Sequence, residues 1–301
     1  MFTGSLVAIV TPFKNGKLDE KSLGDLIEWQ ITSGTQGIVP CGTTGESATL
    51  THAEHDRVVA FTVEVARRRV PVIAGTGSNS TQEAIALTKH AKAAGADGAL
   101  LITPYYNKPT QEGLFLHYKA VAEAVDLPLV LYNIPGRTGV NMMPSTISRL
   151  TVCPTIVAIK EGSGSVQQAS EIIQLCGERL TVLAGDDALT LPMMAVGGKG
   201  VITVTANLVP SDMAELVNAF LAGRVDDARA MHYRLYPLFT ALFYETNPIP
   251  VKEALHMMGK IDREMRLPLC PMGTDNREKL LHVMKEAGLV SSVCCWQRLL
   301  P

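Results

Sequence analysis

Lys160 follows an apolar run and precedes a turn of glycines and serines, in TIVAIKEGSG (155–164). Thr155, Ile156, Val157, Ala158 and Ile159 read as a buried strand, so the amine stands where a strand leaves the core. Burial disfavours the ammonium form and lowers the pKa, and only the free amine attacks a carbonyl. A lysine that merely ends a strand in water would need no partners. Other apolar runs, however, end in residues that suit the same chemistry. They are Thr43 and Thr44 in CGTTGE (41–46), Tyr105 and Tyr106 in TPYYN (103–107), and Tyr132 and Arg137 in YNIPGRTG (132–139). A lysine can form an imine with a keto group while a tyrosine shuttles protons. Hydroxyls and backbone amides can hold one carboxylate, and an arginine can hold a second in a bidentate fork. The set points to carbonyl chemistry through a Schiff base.

Other chemistries find weaker support. His52 and His55 lie three apart on a helical stretch with no evident third ligand, so no metal centre is expected. Asp186 and Asp187 are adjacent at a strand end, where their side chains diverge. GTTGE lacks the Gly-Lys-Ser/Thr of a Walker loop, and GTGSNS (75–80) is a lone glycine pattern of low specificity.

Eight short apolar blocks must position these residues: SLVAIVTP (5–12), GIVPCG (37–42), VPVIAGTG (70–77), GALLITPYY (98–106), LPLVLYNIP (127–135), TIVAIKEG (155–162), LTVLAGDD (180–187) and GVITVTAN (200–207). They are continuous rather than alternating, as expected of parallel strands buried on both faces. Their starts lie 20–33 residues apart, near the length of a βαβ unit. Helical patterns fill the gaps. Residues 19–34 put Leu23, Leu26, Ile27 and Gln30 on one stripe, residues 51–68 open with a Thr51/Glu54 capping box, and residues 79–95 stop at a glycine. Eight even strand–helix units predict an α/β protein, a (β/α)₈ TIM barrel over 1–210, in preference to a doubly wound open sheet. Beyond it the pattern is helical only. Residues 211–301 read as a helical extension packed on the barrel, without an independent second domain. In such barrels the chemistry sits at the C-terminal strand ends, where Lys160 and the threonines, tyrosines and arginine grouped with it fall.

Composition removes several classes of function. The 301 residues are 47% hydrophobic and 19% charged with a formal net charge of -2, so no basic surface for nucleic acid is expected. No stretch reaches the ~18 apolar residues of a membrane span. The six scattered cysteines contain no C-x-x-C pair, which fits a reducing cytoplasm.

Taken in order, GTTGES, TPYYNKP, YNIPGRTG, the lysine of AIKEGSG and LAGDD resemble the dihydrodipicolinate synthase family of pyruvate-dependent Schiff-base lyases, from FTGSLVAIVTPF to KEAGLV. The resemblance implies condensation of pyruvate with L-aspartate 4-semialdehyde in lysine biosynthesis, with no cofactor beyond the covalent imine on Lys160. It implies that Tyr132 is the central relay hydroxyl, with Thr43 beside it and Tyr106 reaching in from a neighbouring subunit. Thr43 and Thr44 would bind the pyruvate carboxylate, Arg137 that of the semialdehyde, and Gly185 and Ile202 would meet substrate through their backbones. A homotetramer, as a dimer of dimers, is implied as well. So is a feedback site for L-lysine at Ser47, Ala48, His52, His55, Asn79, Glu83 and Tyr105. Gly162-Ser163-Gly164 replace the family's usual Ala-Thr-Gly after the lysine and its glutamate, and VSSVCCWQRLLP (290–301), with Cys294, Cys295 and Trp296, runs past the usual end. A related aldolase that cleaves a sugar acid or sialic acid would share the lysine and the tyrosine. Arg137 suits a short acid aldehyde better than a polyol. A non-catalytic sensor of pyruvate or an amino acid would not need the relay.

Overall fold

The computed structural model describes residues 2–291. One sheet of eight parallel strands closes on itself. The strands are β1 (Gly4–Ala8), β2 (Gly37–Val39), β3 (Ile73–Gly75), β4 (Gly98–Ile102), β5 (Leu129–Asn133), β6 (Ile156–Glu161), β7 (Thr181–Ala184) and β8 (Gly200–Thr203). Their order is β2-β1-β8-β7-β6-β5-β4-β3. A bridge between Ile38 and Val72 joins the two ends of the ladder. At this seam Gly75 N donates to Pro40 O at 2.9 Å. A Cβ on Gly75 would stand 2.1 Å from Cys41 O, so closure needs a glycine here. The fold is the (β/α)₈ barrel that the eight blocks predict.

Helices α1 (Glu20–Thr32), α2 (His52–Ala66), α3 (Thr81–Ala93), α4 (Gln111–Ala124), α5 (Pro144–Leu150), α6 (Val166–Cys176), α7 (Thr190–Ala195) and α8 (Pro210–Leu221) surround the strands. The buried face of α1 is the predicted stripe of Leu23, Leu26, Ile27 and Gln30. Thr51 and Glu54 form the predicted capping box at the start of α2. Three more helices follow: α9 (Val225–Ala241), α10 (Ile249–Met257) and α11 (Thr274–Glu286).

Alternation along the strands makes two cores. Leu6, Ala8, Val39, Ile73, Leu100, Val130, Tyr132, Ala158, Leu183 and Ile202 fill the lumen. Their neighbours, among them Leu129, Leu131, Ile159 and Val182, face the helices. Each large side chain so buried contributes about 1.5–3 kcal/mol.

The strands are shorter than the apolar blocks. The first block ends its ladder at Ala8, because Val10 N turns to Asn207 Oδ1 (3.2 Å) and Pro12 has no N–H. A small hairpin, Phe13–Lys14 with Lys17–Leu18, follows and was not anticipated. Asn15 and Gly16 turn it with φ of 53° and 77°. Asn-Gly between short runs is a strong hairpin signal that the strand–helix count passed over.

Candidate active site

Lys160 points into the lumen because Ala158, two residues earlier, does. It stands in register with Tyr132 on one side and Leu183 on the other. Its side chain is 6% exposed, and Nζ lies 4.3 Å from the centroid of the Tyr132 ring. Burial lowers its pKa to about 8; Asp187 opposes the shift and Arg137 adds to it. Asp187 is itself engaged, since Oδ2 accepts from Val204 N (3.1 Å), Thr205 N (2.7 Å) and Thr205 Oγ1 (2.6 Å). Burial raises the pKa of that carboxyl. Among the described residues no carboxylate forms an ion pair with Lys160.

The next residue, Glu161, faces away from the lumen and anchors the strand end. Its Oε1 accepts from Ser163 N (2.7 Å), and its Oε2 from Asn133 Nδ2 (3.1 Å) and Gln168 Nε2 (3.2 Å). Gly185 N donates to Glu161 O at 2.7 Å, and a Cβ there would come within 3.0 Å of that oxygen. Gly185 thus lets β6 and β7 approach beside Lys160. Ile202 is buried on the lumen side of β8.

Tyr132 is buried, and desolvation pushes its phenol up to about 12; Arg137 and the hydrogen-bonded Thr43 hydroxyl pull the other way. It therefore holds its proton at neutral pH and works as a hydroxyl, which can accept and donate in turn. Thr43 belongs to the turn after β2. Arg137 lies in the short helical turn Pro135–Thr138 after β5 and is exposed at the mouth. Its Nη2 donates to Asn247 O at 2.9 Å. Asn247 Nδ2 in turn donates to Thr44 Oγ1 at 3.0 Å.

A cavity of about 480 Å³ opens above these groups. Thr43, Tyr132 and Arg137 line it together with Ser47, Ala48, His52, His55, Glu83 and Tyr105. Lys160, Thr44, Gly185 and Ile202 are not on the lining; Lys160 adjoins it through the Tyr132 ring. Asn79 is also off the lining, and its carbonyl accepts from Asn107 Nδ2 at 2.9 Å. Tyr106 is apart from the cavity, 89% exposed, with φ of 73°. A bulky residue held in the left-handed region marks a strained loop tip.

The two histidines differ. His55 is buried, Nε2 donates to Gly75 O (2.7 Å), and desolvation lowers its pKa. His52 is exposed and meets Glu83 Oε1 at 2.9 Å. The Ser78 hydroxyl and then His52 hold the Glu83 carboxyl below its ordinary range. Among the described residues no group of three His, Cys, Asp or Glu side chains could hold a metal ion. No described helix is long and apolar enough to cross a membrane.

Sequence reasoning missed Asn247, which joins Arg137 to Thr44. Thr246, Asn247, Pro248, Pro268 and Leu269 also line the cavity, so the helical extension builds part of the mouth. The run NPIP (247–250) between two helical patterns was the available signal.

A model of the dihydrodipicolinate synthetase family matches residues 1–287. The chain belongs to that family. It is 62% identical over 290 residues to the 4-hydroxy-tetrahydrodipicolinate synthase of Geotalea uraniireducens (strain Rf4), covering 96% of this chain and 100% of that one. A solved family member, the chloride-inhibited dihydrodipicolinate synthase of Acinetobacter baumannii complexed with pyruvate, is 50% identical with a TM-score of 0.95, covering 96% of this chain and 100% of that one. Another, from Cyanidioschyzon merolae with lysine bound, is 41% identical with a TM-score of 0.93, covering 96% and 99%. Ser163 donates its backbone N–H to Glu161 Oε1 (2.7 Å) and accepts from Ser165 N at Oγ (3.2 Å), so the turn after Lys160 is tied back to the strand end. Cys294, Cys295 and Trp296 lie outside the described residues.

Proposed function

We propose that this protein is a lyase that condenses pyruvate with L-aspartate 4-semialdehyde, giving 4-hydroxy-tetrahydrodipicolinate, through an imine on Lys160. The observation that carries the reading is the register pair Lys160–Tyr132: a buried amine with its pKa near 8 against a phenol that keeps its proton. The free amine of Lys160 adds to the keto carbon of pyruvate, and loss of water leaves the imine. Loss of a methyl proton gives an enamine, which attacks the aldehyde carbon; the amine of the semialdehyde then adds to the imine carbon and displaces Lys160, which closes the ring and frees the lysine. Tyr132 and Thr43 carry protons between these steps. Thr43 and Thr44 receive the pyruvate carboxylate. Arg137, at the mouth and fixed by Asn247 O, receives that of the semialdehyde. An arginine suits this short acid aldehyde, whereas a polyol from a sugar acid would ask for neutral hydroxyl partners.

Two finer readings belong with this one. Tyr106, exposed and strained, enters the relay of a second copy, as one contact of a tetramer. L-Lysine binds at the outer end of the cavity, with an amine on Glu83 beside His52, and Tyr105, Ser47 and Ala48 around it; His55 Nε2 is already committed to Gly75 O, and Asn79 stands off the lining. We place the enzyme in the cytoplasm, in keeping with free cysteines at Cys41, Cys153, Cys176 and Cys270.

The test is a coupled assay with pyruvate and L-aspartate 4-semialdehyde, run beside sialic acid and sugar-acid cleavage. Turnover of the first pair alone is the expected result. Cleavage of a sugar acid at a higher kcat/KM would replace the reading.

A further inference from the structure

The turn that carries Thr43 and Thr44 ends at Glu46, and Glu46 is a buried carboxylate in the left-handed region, with φ of 54°. Such a conformation costs a residue other than glycine roughly 1–2 kcal/mol. Both carboxylate oxygens are engaged. Oε1 accepts from Lys252 Nζ, and Oε2 accepts from Arg266 N at 3.1 Å. Lys252 is equally buried, and Nζ also donates to Thr11 O at 3.0 Å. Thr11 Oγ1 closes the circuit on Gly45 O at 2.7 Å. Lys252 sits on α10, and the same segment sends Asn247 Nδ2 to Thr44 Oγ1. The extension therefore grips the turn at two points, two residues apart.

Stability offers little reason for charges here. Replacing a buried ion pair by apolar residues of like volume is often neutral or stabilising by about 1–4 kcal/mol. What a carboxylate with two fixed donors does provide is a defined position. Thr43 meets the Tyr132 hydroxyl, and a misplacement of about 1 Å at a reacting group can cost on the order of 10²-fold in rate. We infer that Glu46 and Lys252 are positioning residues, which use the helical extension to hold the Thr43–Thr44 turn in register with Tyr132 and the pyruvate carboxylate. The inference deepens the proposed function and rests on it.

The experiment compares wild type with the matched double variant Glu46→Leu/Lys252→Met. Wild type is first tested for condensation and for a borohydride-trapped pyruvate adduct. Without these the proposed function falls, and this inference with it. Given an active wild type, the double variant is expected to keep its melting temperature within a few degrees. Its kcat/KM for pyruvate should fall at least about tenfold. KM for pyruvate should rise and adduct trapping should slow, while KM for the semialdehyde stays put. A folded double variant with wild-type constants for pyruvate overturns the inference alone, and so does an equal rise in both KM values. If the double variant does not fold, Glu46→Gln takes its place. Its amide can accept at only one of the two positions, so Arg266 N loses its acceptor while volume is kept. The same split between the two KM values is expected, and unchanged constants again overturn the inference.

Discussion

Two lysines are buried near the same barrel mouth, each with its amine over an aromatic ring. Lys160 Nζ is 4.3 Å from the centroid of Tyr132, and Lys252 Nζ is 4.5 Å from that of Phe13. Burial lowers the pKa of both. They part company in what else they touch. Lys252 has the Glu46 carboxylate against it, which opposes the shift and favours the ammonium form. Among the described residues Lys160 has no such partner; the one carboxylate acting on it, that of Asp187, forms no ion pair with it and has its Oδ2 held by Thr205 and Val204. A nucleophilic lysine is thus not made by burial alone. It needs burial together with a withheld counter-charge, and it gains a phenol where Lys252 has only a phenyl ring.

The largest effect expected from that contrast is in covalent trapping. With pyruvate and borohydride the wild type should gain one reduced adduct, and peptide mapping should place it on Lys160. Lys160→Ala should lose the adduct and drop condensation to background. Lys252→Met should still be labelled on Lys160, more slowly. Label on Lys252, Lys108 or Lys199 would reverse the comparison.

Tyr132→Phe makes the ring under Lys160 resemble the ring under Lys252. If the hydroxyl relays protons, condensation should slow by roughly 10²–10⁴-fold while the adduct still forms. Steady-state rates within tenfold of wild type would reduce Tyr132 to packing.

Stability should separate the two lysines in sign. Lys252→Met strands a buried carboxylate, and breaking a buried pair from one side costs about 3–5 kcal/mol by urea unfolding. Lys160→Met should stabilise. The folded-state pKa of about 8 lies below the ordinary 10.5, so between those values the unfolded chain binds the extra proton and stability rises with pH. Below pH 8 the native protein carries the full penalty, on the order of 3 kcal/mol, and above about 10.5 it carries none. The gain in Lys160→Met should therefore be complete at pH 7 and fade toward pH 10.5. A gain that does not vary with pH would trace to packing instead.

The same contrast marks what a sequence can disclose. Lys160, Tyr132, Thr43 and Arg137 were legible as candidates because each sits at or just beyond the C-terminal end of an apolar block, and closing eight parallel strands brings such ends together. The capping box at Thr51 and the stripe on α1 were legible because they are local. Partners joined only by tertiary folding left no mark. Lys252 meets Glu46 across 206 positions, and Asn247 meets Arg137 across 110. No periodicity encodes such distances, and a lysine within a helical pattern reads as a solvated charge until the fold buries it. The Asn15-Gly16 hairpin was local and readable, but it interrupts the strand–helix rhythm that organised the reading.

The smallest effect is the pH dependence of imine formation, and it sharpens the claim that the counter-charge is withheld. Attack needs the free amine, whose fraction rises through the pKa of about 8. From pH 7 to pH 8 that fraction grows about fivefold, from roughly a tenth to a half, and then levels off. Single-turnover trapping with pyruvate should follow this curve. Tyr132 stays protonated over the whole range, with its pKa near 12, so it adds no second limb below pH 10. A rate still rising steeply above pH 9 would mean that Lys160 holds its proton as an ordinary lysine does. Some carboxylate would then pair with it in solution, and the difference between the two lysines would vanish.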